Sequence, residues 1–176
     1  MYAGPSDALL MASAEQALPL RASWLCTTRL QVRAEASLPL PTRALRPVRL
    51  ALAGKGGLIA GDLPPYEAFP VGGANSVRGY EEGGVGSGRA FASASAELRF
   101  PIAGAIGGVV FADIGGDCGT GAAVLGDPGG TRGKPGVGAG VGAGLRLDSP
   151  LGPWRLEYAL SDGGARRFHL GMGKSF

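Results

Sequence analysis

The chain has no apolar run approaching the ~18 residues that a membrane-spanning helix needs. A basic start followed by a short apolar core, the mark of a secretory leader, is also missing. Cysteine is nearly absent. Cys26 and Cys118 lie far apart, fit no metal-ligand spacing and suggest no disulfide framework. Aromatic residues make up only 7% of the chain, thin for a compact soluble β core. There is no block of Lys and Arg and no interleaving of basic with aromatic residues, so the formal charge of +3 gives no argument for nucleic acid. Lack of a spanning helix leaves the other membrane solution open, because closed β-barrels also satisfy their backbone polar groups internally.

What the chain has in excess is glycine, 33 residues, well above the usual ~7%. No strict three-residue glycine period runs through it, which excludes a collagen-like helix. An apolar content of 45% with modest charge argues against disorder. At 176 residues the length suits one domain.

The strongest regular signal has period two. Over 26–38, Thr27, Arg29, Gln31, Arg33, Glu35 and Ser37 fall on one face; Thr28, Leu30, Val32, Ala34, Ala36 and Leu38 fall on the other. Successive side chains of a strand point to opposite faces, so this segment reads as a strand with one polar and one apolar face. Over 91–100, Ser93, Ser95, Glu97 and Arg99 oppose Ala92, Ala94, Ala96, Leu98 and Phe100. Over 140–147, Gly140, Gly142, Gly144 and Arg146 oppose Val141, Ala143, Leu145 and Leu147. Arg155 and Glu157 oppose Trp154, Leu156, Tyr158 and Leu160 over 154–160. Over 167–176, Arg167, His169, Gly171, Gly173 and Ser175 oppose Phe168, Leu170, Met172 and Phe176. Further strands are expected at 48–56, at 107–115, which carries Asp113, and near 9–18. The total is about eight strands, each close to the ~10 residues that a tilted strand needs to cross a bilayer.

Pro, Gly, Asp and Ser clusters at 39–47, 101–106, 148–153 and 161–166 are hairpin chemistry. Two connections are long, about 57–90 and about 116–137. Within the first, FPVGGANSVRGYEEG (69–83) shows neither helix period nor clean alternation, yet carries an Arg between glycines. A soluble sandwich would bury the apolar face and a membrane barrel would turn it to lipid; alternation alone does not separate them. Charges of both signs in mid-strand, and short turns alternating with long loops, favour the barrel. Trp154, Tyr158, Phe168 and Phe176 are then candidates for interfacial aromatic girdles. The glycine run at 136–144 fits no dinucleotide pattern and is read as close packing or lumen space. Lone His169 is read as a lumen or rim residue, and no G-x-S-x-G nucleophile elbow exists.

Five separated signatures stand in order: GGANSVRGYEEGGVGSGR (72–89), AELRFP (96–101), GGVVFADIGGDCG (107–119), GAGLRLDSPLGPWRLEYAL (142–160) and a final strand ending in Phe. Together they resemble the polypeptide-transporting outer-membrane β-barrel superfamily, the surface-antigen or outer-membrane-assembly family. The likeness covers about residues 8–176 and looks most like short members of its chloroplast outer-envelope import-channel branch. It implies a C-terminal part of an antiparallel transmembrane barrel spanning residues 1–176, facing lipid outside and inserting or translocating polypeptides within. It implies no cofactor, no metal, no nucleic acid and no enzymatic activity. An outer membrane is the expected location, a plastid outer envelope ahead of a bacterial one. The resemblance further implies that the motif loop folds into the lumen, where Arg78 meets Glu97 and Asp113 on the wall. Gly72, Gly73, Val77, Gly79 and Tyr80 would shape that loop, and Phe176 would be the C-terminal strand signal for insertion. Arg29, Arg33, Arg99, Arg146, Arg155 and Arg167 would line the lumen, where they could guide acidic or hydrated segments.

Barrels of this family have about sixteen strands, twice the number expected here, and a closed eight-stranded barrel is filled by its own side chains. The expectation is therefore an open half-barrel, as a fragment or as a chain whose barrel another chain completes. With no soluble polypeptide-binding repeats ahead of the strands, substrate capture would come from elsewhere. The alternatives are a passive solute or ion pore and a non-transporting barrel fragment.

Overall fold

A computed structural model describes residues 7–17, 25–40, 48–150 and 152–172, apart from the side chains of 128, 129 and 131. The strands are β1 (Asp7–Gln16), β2 (Thr27–Leu40), β3 (Val48–Gly61), β4 (Phe69–Val71), β5 (Gly86–Gly88), β6 (Ala90–Ala103), β7 (Ile106–Gly116), β8 (Val137–Ser149), β9 (Gly152–Ser161) and β10 (Arg166–Met172). Eight of them form one antiparallel sheet in the order β1-β2-β3-β6-β7-β8-β9-β10. The sheet is open: β1 pairs with β2 and β10 with β9, and the two edges do not meet. β4 and β5 form a separate hairpin inside the loop 62–89.

Alternation decides which face is which. On β6, Ser93, Ser95 and Glu97 are buried and Arg99 is half-buried, whereas Ala92, Ala94 and Leu98 between them are exposed. β7 repeats this with Val109, Phe111 and Asp113 inward and Val110 and Ile114 outward. Leu30, Val32, Leu52, Val141, Leu145 and Leu156 continue the exposed apolar face across the sheet. An apolar surface of this extent, with carboxylates and guanidinium groups on the opposite side, has lipid as its solvent. Trp154 and Phe168 lie on it, and the Tyr158 and Phe168 rings meet at a tilt of 49°, 4.8 Å between centroids.

Among the described residues there is accordingly no central core. Most of the buried apolar side chains fall into three small clusters, two of them joining the loops to the wall. One cluster joins Ile59, Leu63, Ala68, Phe69 and Val124; a second joins Val71, Val77 and Val85; a third joins Val109, Phe111 and Ala159.

Several boundaries differ from the expectation. β3 runs on to Gly61, so the first long loop begins at 62 and not 57. Gly56, Gly57 and Gly61 interrupt the alternation, yet residues 57–61 pair in register with 27–31. β1 covers 7–16 rather than 9–18, whereas β8 begins at Val137, where the second long loop was expected to end. The expected hairpin at 39–47 starts later, because Pro39 and Leu40 still pair with Arg49 and Val48. Residues 173–176, and with them Phe176, lie outside the described residues.

The two faces make opposite predictions. Val110→Arg on the outward face of β7 is expected to lower stability by about 2–4 kcal/mol, the figure for Arg near a bilayer midplane. Gln31→Arg on the inward face of β2 should stay within about 0.5 kcal/mol of the parent. Urea unfolding in liposomes measures both, and equal losses would mean the faces are assigned wrongly.

Candidate functional site

The loop 62–89 starts at the end of β3, turns through the β4–β5 hairpin and lies against the inward face of β6 to β10. Its turn is tied by its own bonds. Gly72 N–H donates to Ser76 Oγ (3.0 Å), Gly73 N–H to the Val77 carbonyl (3.1 Å), and Val85 N–H to the Val71 carbonyl (2.9 Å). Gly72 and Gly73 both have positive φ, +115° and +95°. Val77 is fully buried among Val71 and Val85. The next side chain, Arg78, is aimed at the wall.

Arg78 is 0% exposed, and three carboxylates surround it. Its Nε–H donates to Asp113 Oδ2 (2.6 Å) and its Nη2–H to Asp113 Oδ1 (2.7 Å), a two-point pairing of planar fork and carboxylate. Nη1–H donates to Glu97 Oε1 (2.8 Å), and Glu157 Oε1 lies 3.3 Å from the same nitrogen. Nη2–H also reaches Ser95 Oγ (3.1 Å), whose hydroxyl donates to Asp113 Oδ1 (2.7 Å). The Arg78 backbone N–H adds a bond to Asp113 Oδ2 (3.1 Å), and the Phe111 ring lies 3.5 Å beneath the guanidinium carbon.

Register explains why these groups converge. Ser95 pairs across the sheet with Asp113, Asp113 with Gly140, and Gly144 with Glu157. All sit on the inward face, on four consecutive strands. The glycines of β8 leave the room. A Cβ at Gly140 would overlap the Arg78 carbonyl oxygen, one at Gly138 would come within 2.9 Å of the Tyr80 ring, and one at Gly144 within 2.7 Å of Glu157 Cγ. Gly79 needs both freedoms of glycine at once: its φ is +96°, and an added Cβ would stand 2.8 Å from Ser161 N.

Three carboxylates around one guanidinium leave an excess of negative charge, and wall arginines offset it. Arg99 Nη2 lies 2.6 Å and Arg146 Nη1 3.4 Å from Glu97 Oε2; Arg155 Nη1 lies 3.8 Å from Glu157 Oε1. These three arginines are therefore drawn into the carboxylate cluster. Beyond it, the loop is fastened to the last strands. Gly79 N–H donates to His169 Nε2 (3.2 Å), a bond that needs Nε2 as acceptor. Arg167 pairs with Glu81, and the Tyr80 hydroxyl donates to Asp162 in the β9–β10 turn.

Of the residues singled out in the sequence, Arg78, Glu97 and Asp113 are in direct contact, and Gly72, Gly73, Val77, Gly79 and Tyr80 form the turn that delivers Arg78. Glu157, Ser95, Phe111 and Asp162 also contact the loop and were not singled out. Glu157 stands on the polar face of its strand in the alternation, but only sheet register brings it to Arg78. Among the described residues, no group of three His, Cys, Asp or Glu side chains is arranged to hold a metal ion.

Two predictions follow from packing and charge. Gly140→Ala cannot be accommodated without shifting the Arg78 carbonyl, and should cost about 1–3 kcal/mol as an overpacked site. Limited proteolysis should then cut within 62–89 faster than in the parent; an unchanged rate would mean the loop is not seated on β8. The Tyr80–Asp162 bond predicts a pH window. Burial and this bond push the Tyr80 phenol above its ordinary value, and the same bond holds the Asp162 carboxyl below its ordinary value. Asp162's contribution is thus present above the unfolded carboxylate value and lost as pH falls through the lowered one. Tyr80's is present below the unfolded phenol value and lost as pH rises through the raised one. An ultraviolet titration of the parent minus that of Tyr80→Phe should show one tyrosine ionising above the ordinary phenol range; an ordinary value would contradict the bond.

Comparison with known proteins shows the family of this chain. The sequence pattern of the Omp85 superfamily domain matches residues 7–176. Outer envelope protein 80, chloroplastic, of Arabidopsis thaliana is 48% identical over 98% of this chain and 23% of its own length. The protein of the same name from Oryza sativa subsp. japonica is 49% identical over 96% of this chain and 24% of its own length. This chain therefore spans about a quarter of those relatives. The crystal structure of BamA from Haemophilus ducreyi lacking POTRA domains 1-3 superposes with a TM-score of 0.59 at 19% identity, over 92% of this chain and 41% of that one. That likeness supports the fold: an open antiparallel sheet related to the barrel of that protein. Sheet, motif loop and matched pattern lead to one conclusion, that the chain belongs to the Omp85 superfamily of membrane proteins.

Proposed function

We propose that this chain forms part of the wall of a plastid outer-envelope barrel that moves polypeptides across the membrane or inserts them into it. Residues 1–176 are read as the C-terminal half of that barrel, with strands from another chain completing the ring. The loop 62–89 is its movable obstruction, and Arg78, Glu97 and Asp113 are the lock that seats it. One observation carries the reading: a loop Arg that is wholly buried against the inward wall and held at two points by Asp113. Relatives named as chloroplast outer-envelope proteins support the location. Others named as TOC75 are similar over about two thirds of this chain.

A buried ion pair broken on one side leaves an uncompensated charge, a cost of about 3–5 kcal/mol where water is excluded. Such a loop stays seated at rest and needs an opposing interaction to leave. Arg78→Ala is expected to unseat it without removing the strands. In planar bilayers the variant should conduct more often than the parent, while heat-modifiable gel migration shows that the strands remain. A presequence peptide should block the parent's current. Peptide-insensitive current in both proteins would favour a passive pore and reject the reading.

A further inference from the structure

Two buried polar atoms near Arg78 make no hydrogen bond, one on each of two inward side chains of β9. Arg155 is 7% exposed with its Nε unbonded, and Glu157 is 2% exposed with its Oε1 unbonded. Both side chains project inward from β9, two residues apart, with Arg155 Nη1 3.8 Å from Glu157 Oε1. That is too long for a hydrogen bond, and about 1 Å of movement would make one. Buried polar groups left unpaired are uncommon, because each carries its full desolvation cost. Glu157 Oε1 is instead turned to Arg78 Nη1, at 3.3 Å.

The wall has room for this pair. A Cβ at Gly171 would stand 3.0 Å from Arg155 Nη2, and one at Gly144 2.7 Å from Glu157 Cγ. Arg146 lies directly opposite Arg155 across the β8–β9 ladder, a like-charge juxtaposition that disfavours movement of Arg155 towards β8. Among the described residues, Glu157 on its own strand is the carboxylate within ion-pair distance of Arg155.

We infer that Arg155 is a stand-in for Arg78: when the loop leaves the wall, Arg155 closes on Glu157, so that this carboxylate is never stranded. Glu97 is provided for in the same way by Arg99, which already contacts its other oxygen. Asp113 has no such provision. Its ion-pair partner among the described residues is Arg78, and Ser95 supplies only a neutral hydroxyl. The three carboxylates are therefore unequal: Asp113 determines how firmly the loop is seated, while Glu97 and Glu157 are kept partnered in both states. Arg155 is a positioning residue that makes release less costly, and it acts on the unseated state. The inference rests on the reading of the loop as movable.

Hydrogen exchange of the 72–84 segment in the liposome-reconstituted full chain tests it, since exchange of the Arg78 and Gly79 amides requires the loop to open. Arg155→Gln removes the stand-in and should slow exchange by roughly threefold or more, within the range for coupled members of one charged network. Arg155→Lys should restore the parent rate. An ordinary structural arginine predicts the opposite sign, faster exchange on removal, and that result would overturn the proposal. Asp113→Asn should accelerate exchange by about tenfold or more, while Glu157→Gln should stay within about twofold of the parent. If Arg155→Gln does not assemble, this inequality decides: equal acceleration by both carboxylate variants would mean Glu157 has no stand-in. Arg78→Ala on the same segment tests the underlying reading separately. No acceleration there would remove the lock itself, whereas acceleration there with faster exchange in Arg155→Gln would remove only the stand-in.

Discussion

One guanidinium joins parts of the chain that the sheet alone would leave apart. Arg78 contacts side chains of β6, β7 and β9, and through its backbone fits against the glycines of β8. A Lys could not replace it. Lysine offers a point charge, whereas Asp113 is held through two adjacent nitrogens and Glu97 through a third. The planar cation also needs a flat seat, which the Phe111 ring supplies. With four cations and three anions in one network, no single charge on the wall can be considered alone. Arg99, Arg146 and Arg155 balance a cluster that Arg78 by itself leaves negative.

The constraint beneath this is the period of the strand. A sheet bathed by lipid on one side must gather its polar groups on the other, and that gathers carboxylates and arginines close together in a confined space. Small residues then decide what approaches them. β8 contributes almost no inward side chain from 138 to 144, and the loop occupies the groove left behind. Apolar burial is correspondingly local. Val71, Val77 and Val85 fix the turn, and Ile59, Leu63, Phe69 and Val124 fix the base of the loop.

Alternation makes the eight long strands and their two faces legible in the sequence, because the solvent on the outer side imposes it residue by residue. Glycine hides the rest. The end of β3 reads as loop since Gly56, Gly57 and Gly61 carry no side chain to alternate, and the short β4–β5 hairpin is only three residues a side. At the site, Arg78, Glu97 and Asp113 are recognisable from a family motif. Glu157 is not, although it lies within 3.3 Å of Arg78. Its role depends on which residue of β8 faces it, and register between strands is set by pairing across the sheet, which no local pattern encodes. Tyr80 and Asp162 illustrate the same limit: they lie 82 positions apart in the chain and are brought together by a turn whose position follows from the ladder.

The open sheet also carries a rule of parity. Neighbouring strands all run in opposite directions, and eight of them place β10 opposite in sense to β1. A ring that keeps both new seams antiparallel must therefore receive an even number of additional strands. An odd insertion would force one parallel seam, with slanted hydrogen bonds and slightly weaker pairing at that point of the wall. An all-antiparallel ring thus adds strands in even number, and the two edges of this sheet set that condition before any contact with further strands is made.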